Sequence, residues 1–265
     1  MKAGEDLRAA IIGLGVGQGH ISGYETASQC KVVALCDSDA TRLREVGARY
    51  PHCRLTSDPM EILADRSIDV VSIASYDNVH AEQVIIAIEN GKHVFIEKPL
   101  CLHQKELDHI IETLLISSEI KVSANYILRR VPRFIELRSK IQSGDLGKVY
   151  YVEGDYDYGR INKITMGWRA SIPYYSVVHG GAIHLIDLML WLTGERVNEV
   201  FAYGSKICTE GTAFKYHDFV VAILQFENGM IGKVTANFGS VTPHHHKLCV
   251  YGTNAVFNQG HTGAF

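Results

Sequence analysis

Over roughly the first 120 residues, short apolar runs alternate with stretches of helical spacing. The apolar runs at 9–12, 31–36, 70–74, 94–97 and 122–124 predict strands. Between them, 40–50 and 79–90 predict helices, the second closed by Gly91, a suitable C-cap. Strand, helix, strand at this rhythm predicts βαβ units and a parallel sheet.

The pattern changes after Asn125. Residues 130–142 place Phe134, Leu137 and Ile141 on one helix face, and SGDLG ends that helix. β-rich runs follow at 149–156, 197–203, 219–226, 231–238 and 248–251, with one helix at about 182–192 interrupting them. Glu227-Asn228-Gly229 between two runs is a hairpin signal. The expected class is α/β: an N-terminal Rossmann parallel sheet, then a C-terminal α+β domain with a predominantly antiparallel open sheet. The boundary is expected near 122–130, giving a nucleotide-binding domain at 1–124 and a substrate-binding and oligomerisation domain at 125–265.

Composition narrows the classes. The 265-residue chain is 46% hydrophobic and 21% charged, ordinary for a globular protein. A net charge of -3 gives no basic footprint for nucleic acid. No apolar run approaches the roughly 20 residues of a membrane helix, and MKAGEDLRAA lacks the apolar centre of a signal peptide. Six cysteines contain no C-x-x-C pair and several sit in strand-like runs, as small buried thiols do. A cytoplasmic location is expected.

The glycine-rich stretch GLGVGQGH, residues 13–20, directly follows the first apolar run. In a dinucleotide turn the first glycine permits the bend, and the second lets a pyrophosphate approach the backbone at a helix N-terminus. Gly13 and Gly15 meet those demands; the third glycine falls at Gly17, one place early, with Gln18 in the usual position. Asp37, 22 residues after Gly15, can accept from ribose hydroxyls and would repel a 2'-phosphate, so NAD is expected and NADP less so. A flexible loop with an unrelated aspartate is the bland alternative.

Three further groups suggest chemistry. Glu97-Lys98-Pro99 ends the fifth strand, where Pro99 fixes the direction of Lys98 and a cation can orient a substrate hydroxyl; a surface turn is the alternative. His184 and Asp187, spaced i and i+3, share a helix face, and His184 can take an alcohol proton; a satisfied core histidine is the alternative. His244-His245-His246 alternate between the faces of a strand, so the three cannot share one ion, and no metal site is expected. The alternating Tyr150-Tyr151, Tyr156 and Tyr158 read mainly as sheet packing.

With these pieces placed, residues 8–257 resemble the Gfo/Idh/MocA oxidoreductases. The resemblance is carried by GLGVG, IASYDNVHAEQVIIAIENGKHVFIEKPL, LRRVPRFIELRSKIQSGDLGKV, GGAIHLIDLMLWLTG and FENGMIGKV, with EKP the most distinctive. It implies hydride transfer between a nicotinamide and a secondary alcohol of a sugar, inositol or nucleotide-sugar, and assembly into homodimers or homotetramers through the open sheet. By position it implies that Gly13, Gly15, Val16 and Gly17 cover the pyrophosphate and Asp37 the ribose. Ser75, Asn78 and His80 would lie near the dinucleotide. Glu97 and Lys98 would approach nicotinamide and substrate, Asn125 would line the domain junction, and Trp168-Arg169 would reach cofactor or substrate from the second domain. Arg169 suits an anionic group such as a carboxylate or diphosphate. His184 matches the family's acid/base, with Lys98 polarising the same oxygen. Many members carry an aspartate four residues before that histidine; here the position is Gly180. This departure leaves open an NAD-binding sensor or regulatory subunit, and the resemblance also admits elimination or epimerisation through a transient ketone. Relatives usually continue past VYGTNAVF, which leaves open a short or a truncated member.

Overall fold

The computed structural model describes residues 6–260 and 263–264. They fall into two compact units that divide between Asn125 and Tyr126.

The first unit runs β1 (Leu7–Ile12), α1 (Gln18–Glu25), β2 (Cys30–Cys36), α2 (Ala40–Gly47), β3 (Arg54–Thr56), α3 (Met60–Leu63), β4 (Val70–Ile73), α4 (His80–Glu89), β5 (His93–Ile96), α5 (Gln104–Ile116) and β6 (Val122–Ala124). Its six strands lie in the order β3-β2-β1-β4-β5-β6, every neighbouring pair parallel. The order reverses between β1 and β4, the kind of switch point where open α/β sheets bind ligands at the strands' carboxyl ends.

Strand β1 shows why its sequence is a continuous apolar run. Ala9 and Ile11 enter a core with Leu14, Ile21, Val32 and Leu35 on one face of the sheet. Ala10 and Ile12 enter another core with Ile73, Val84 and Ile96 on the opposite face. With both faces covered, alternation disappears. Helix α2 starts where the Asp39 carboxylate accepts from the N–H groups of Thr41 and Arg42, at 2.9 and 3.1 Å. Strand β3 is absent from the sequence reading: of its three residues only Thr56 is buried, too little for a period.

The second unit contains α6 (Pro132–Gln142), β7 (Val149–Asp157), α7 (Asn162–Thr165), α8 (Ile183–Thr193), β8 (Val197–Ser205), β9 (Phe219–Phe226), β10 (Ile231–Asn237), β11 (His245–Gly252), β12 (Val256–Gly260) and β13 (Gly263–Ala264). The strands form one sheet in the order β13-β12-β11-β7-β10-β9-β8. It is mostly antiparallel, with one parallel pair, β7 with β10. The β9–β10 hairpin turns at Gly229, whose φ of 86° suits glycine, and Asn228 Oδ1 accepts from Met230 N–H at 2.9 Å.

One sheet face packs against α8. Val152, Leu224, Val234, Leu248 and Val250 meet Leu185, Leu188, Met189 and Leu192 in one buried core, each side chain worth about 1.5–3 kcal/mol when fully buried. Helix α8 ends at Gly194 in the left-handed conformation, φ 73°. On edge strand β8, Phe201 and Tyr203 are 61% and 70% exposed. No helix among the described residues is long and apolar enough to cross a membrane.

Candidate functional site

In the first unit the glycine turn is built from close contacts on one side and open space on the other. Gly13 has φ 87°, and a Cβ there would stand 2.3 Å from the Ala74 carbonyl oxygen. A Cβ at Gly17 would stand 2.2 Å from the Gly13 carbonyl oxygen and 3.0 Å from Ile11 Cγ2. Gly17, one place early, thus performs the close helix–strand packing usually given to the third glycine of the motif. A Cβ at Gly15 would meet nothing within 4 Å, and Val16 beside it is exposed. That open, backbone-lined side is what a pyrophosphate requires.

Asp37 follows directly on β2. It is 5% exposed, and its carboxylate ties the turn together. Oδ2 accepts from Leu14 N–H at 2.7 Å and Oδ1 from Asp39 N–H at 2.8 Å. Arg42 reaches both oxygens at 3.3 Å. A carboxylate offers about four acceptor sites, so a ribose hydroxyl would take the place of the long Arg42 contact.

The loop after β4 is pinned from beneath. Ser75 Oγ donates to Gln83 Oε1 at 2.7 Å. Asn78 lies exposed in a 3-10 turn, Asp77–Val79. His80, expected near the dinucleotide, is enclosed between two loops. It is 0% exposed, with Nδ1 2.6 Å from the Pro99 carbonyl oxygen and Nε2 3.1 Å from that of Ser75. Its ring joins the post-β4 loop to the segment bearing Lys98 and offers no surface to a ligand.

Glu97 N–H donates to the Ile73 carbonyl at 2.8 Å. Glu97 Oε1 lies 3.0 Å from His20 Nε2 and accepts from Asn125 Nδ2 at 2.7 Å. Burial alone would raise the Glu97 pKa; the hydrogen bonds to His20 and Asn125, with the charges of His20 and Lys98, outweigh it and hold the carboxyl below its usual range. The other His20 nitrogen, Nδ1, is 2.8 Å from Ser72 Oγ. Lys98 is half-buried and joined to Pro99 by a cis peptide bond.

In the second unit, Trp168 and Arg169 form a 3-10 turn, Trp168–Ala170. The Arg169 guanidinium lies 4.5 Å over the Trp168 ring, and its Nε donates to the Tyr175 hydroxyl at 3.1 Å. The segment Val178–Ala182 is a π-helical turn leading into α8, a feature frequent at functional sites. Its glycines are dictated by neighbouring rings. A Cβ at Gly180 would stand 1.9 Å from the Tyr175 hydroxyl oxygen, and one at Gly181 2.5 Å from the Tyr156 ring. The phenol of Tyr175 therefore fills the space into which a side chain at 180 would project.

His184 is buried on α8. Its ring lies 6.5 Å from Tyr156 and 6.0 Å from His246, centroid to centroid. His246 in turn lies 4.8 Å from both Tyr156 and His244. Burial first, then the charges of His244 and His245, push the His246 pKa down to about 4. Among the described residues no group of three His, Cys, Asp or Glu has a metal-holding arrangement. Asp187, on the His184 face in the sequence reading, is gripped bidentately by Arg129 at 2.7 and 2.5 Å.

The site residues expected from sequence thus form two sets. Gly13, Gly15, Val16, Gly17, Asp37, Ser75, Asn78, His80, Glu97, Lys98 and Asn125 belong to the first unit; Trp168, Arg169 and His184 belong to the second. The reading missed His20, and did not join His244, His246 and Tyr156 to His184. The i, i+2 spacings Tyr156/Tyr158 and His244/His246 were the available signal for the latter.

Residues 7–126 match the model of an oxidoreductase family with an NAD-binding Rossmann fold. Residues 134–258 match the GFO/IDH/MocA C-terminal domain. The chain is 29% identical over 256 residues to a myo-inositol 2-dehydrogenase of Thermotoga maritima, covering 93% of this chain and 73% of that one. It is 28% identical over 257 residues to an NAD(+) scyllo-inositol 2-dehydrogenase of Bacillus subtilis, covering 93% and 72%. More than a quarter of each relative therefore has no counterpart here. The fold resembles the crystal structure of a myo-inositol 2-dehydrogenase from Lactobacillus plantarum, with TM-score 0.88, 23% identity, and coverage of 98% of this chain and 82% of that one.

Proposed function

Since the chain belongs to the Gfo/Idh/MocA oxidoreductase family, we propose that it is an NAD-dependent dehydrogenase of a cyclic polyol or sugar-like secondary alcohol. The observation that carries this reading is the retention of Lys98 and His184 in a chain whose glycine turn is close-packed at Gly13 and Gly17 and open at Gly15. The fit to a dinucleotide rests on that open backbone, on the helix α1 that follows it, and on Asp37.

Bound nicotinamide supplies the hydride acceptor or donor. Gly13, Gly15, Val16 and Gly17 hold the pyrophosphate by backbone N–H groups, and Asp37 receives a ribose hydroxyl where Arg42 now contacts it. Ser75, Asn78 and Asn125 complete the dinucleotide surface. Lys98 donates to the substrate oxygen and stabilises charge developing on it, while His184 holds the proton that leaves the alcohol. Trp168 and Arg169 bind cofactor or substrate from the second unit. An inositol or simple sugar is the first substrate class, given the relatives; Arg169 also suits a uronate or nucleotide-sugar. The exposed face with Phe201 and Tyr203 joins copies of the chain, so light scattering should give a mass above 29.4 kDa.

The test is turnover. Purified chain is offered inositols, sugars, uronates and nucleotide-sugars with NAD or NADP while NADH or NADPH formation is followed. Lys98→Ala and His184→Ala should each lower turnover by about 100-fold or more while nucleotide binding survives; two fully active variants would overturn the assignment. One observation favours a second reading, an NAD-binding sensor without turnover: Tyr175 occupies the place of a side chain at Gly180. Tight NADH binding with no turnover across the panel would select it.

A further inference from the structure

GLGVGQGH ends in a histidine that the nucleotide-binding turn itself does not need. His20 lies in the first turn of α1, yet its ring points under the sheet's carboxyl edge. Its Nδ1 is 2.8 Å from Ser72 Oγ, beyond the middle of β4, and its Nε2 is 3.0 Å from Glu97 Oε1, just past β5. The ring also packs edge-on against Phe95, centroids 5.2 Å apart. Three elements far apart in the chain, α1, β4 and β5, thus meet on one imidazole, and Glu97 passes the connection on to Asn125, just past β6.

We propose that His20 is a positioning residue: it fixes the Glu97 carboxylate, and with it the Lys98 segment, in the orientation the reaction uses. This rests on the reading that Glu97 and Lys98 face the nicotinamide and substrate. The chemistry of the partners sets the tautomer. A carboxylate only accepts, so the ring carries a proton on Nε2 toward Glu97; when the ring is neutral, Nδ1 accepts from the Ser72 hydroxyl. Glu97 is mostly buried, and a buried carboxylate needs donors to remain ionised and still. Removing the imidazole takes one of the two donors, His20 and Asn125, from Glu97 Oε1, and frees the carboxylate to turn. The glycine turn holds pyrophosphate through backbone groups, so the loss falls on the chemical step and spares nucleotide affinity. A displacement of about 1 Å at a reacting group is enough to cost on the order of 100-fold.

The test compares wild type, His20→Ala, His20→Gln, Glu97→Gln and the double variant His20→Ala/Glu97→Gln. Three measurements are made on the 265-residue chain: side-chain nitrogen NMR of the histidines without nucleotide, NADH affinity by fluorescence, and turnover on the alcohol panel. The expected results are a proton on His20 Nε2 in wild type, with a ring signal that moves in Glu97→Gln. His20→Ala should lower kcat about tenfold or more and change the NADH Kd less than about threefold, and His20→Gln should recover part of the loss. The double variant should be no slower than the slower single, because the two residues act as one unit.

A wild-type Nε2 that carries no proton, a loss confined to NADH affinity, or multiplying losses in the double variant would each overturn the proposal. If His20→Ala is unfolded at the assay temperature, His20→Gln and Glu97→Gln carry the same comparison. Wild type that binds NADH but oxidises nothing would sink the dehydrogenase reading alone, since the NMR comparison of wild type with Glu97→Gln still decides where His20 holds its proton.

Discussion

His246 meets His184 at a right angle, ring centroids 6.0 Å apart and planes at 90°. The two come from opposite layers of the second unit, one from strand β11 and one from helix α8. Burial lowers the His246 pKa to about 4, so the ring that faces His184 carries no charge near neutral pH.

That neutrality carries a pH signature. The His246 pKa is lowered in the fold from 6.5 to about 4, so the folded state binds fewer protons than the unfolded chain between those values. Stability from this group is full above about pH 6.5 and is lost progressively as pH falls toward about 4. Glu97, also held below its usual range, loses stability in the same direction. The expected outcome is that the melting midpoint of wild type falls more steeply on acidification than that of His246→Gln. Parallel midpoint curves for the two proteins would remove His246 as the source.

The glycine turn separates packing from ligand contact. Gly17→Ala puts a methyl 2.2 Å from a backbone oxygen that cannot yield cheaply, and should cost about 1–3 kcal/mol of unfolding free energy. Gly15→Ala meets nothing within 4 Å and should change stability by less than about 0.5 kcal/mol. NADH affinity should nevertheless fall by about tenfold or more in Gly15→Ala, a loss of about 1.4 kcal/mol in binding. Urea unfolding and NADH titration of the two proteins separate these effects.

Asp37 should show two phenotypes at once. Asp37→Ala removes the acceptor of the buried Leu14 N–H, which should cost about 1–3 kcal/mol of stability. It also releases Arg42 from its carboxylate and so should narrow any preference for NAD over NADP by about tenfold or more. Titrating both cofactors against wild type and variant tests this; an unchanged ratio would mean that Asp37 only anchors the turn.

Gly180 and Tyr175 should behave as a coupled pair. Gly180→Ala drives its methyl into the Tyr175 hydroxyl, 1.9 Å away, at a cost of about 1–3 kcal/mol. In a Tyr175→Phe background the same change should cost less, because the oxygen it strikes is gone. A double-mutant cycle in urea measures the coupling directly; strict additivity would contradict the geometry.

Much of the framework was legible in the sequence because local pattern and tertiary burial agree. Strands β1, β2, β4 and β5 are apolar runs since both their faces are covered, and Gly91, Gly194 and Gly229 mark turns that require positive φ. The parallel β7–β10 pairing was not legible, since register between distant strands leaves no local trace. The same holds for His20 and for the His184, His244 and His246 cluster. Each residue shows only its own periodicity, and its partners lie 52 and 77 positions away for His20. His80 meets the same limit: a histidine after a strand can line a ligand or brace a loop, and its contacts with Ser75 and Pro99, which show the bracing, leave no local trace.

The filled space at Gly180 has a bearing on how such a chain can change over generations. With a phenol hydroxyl standing 1.9 Å from where a β-carbon would begin, a carboxylate cannot be introduced at that position in one step without disrupting the turn. The tyrosine must first be replaced or moved, and that step breaks its contact with Arg169. The order of substitutions is therefore constrained, and variants that carry an acid at 180 should be recovered from a random library only together with a smaller residue at 175.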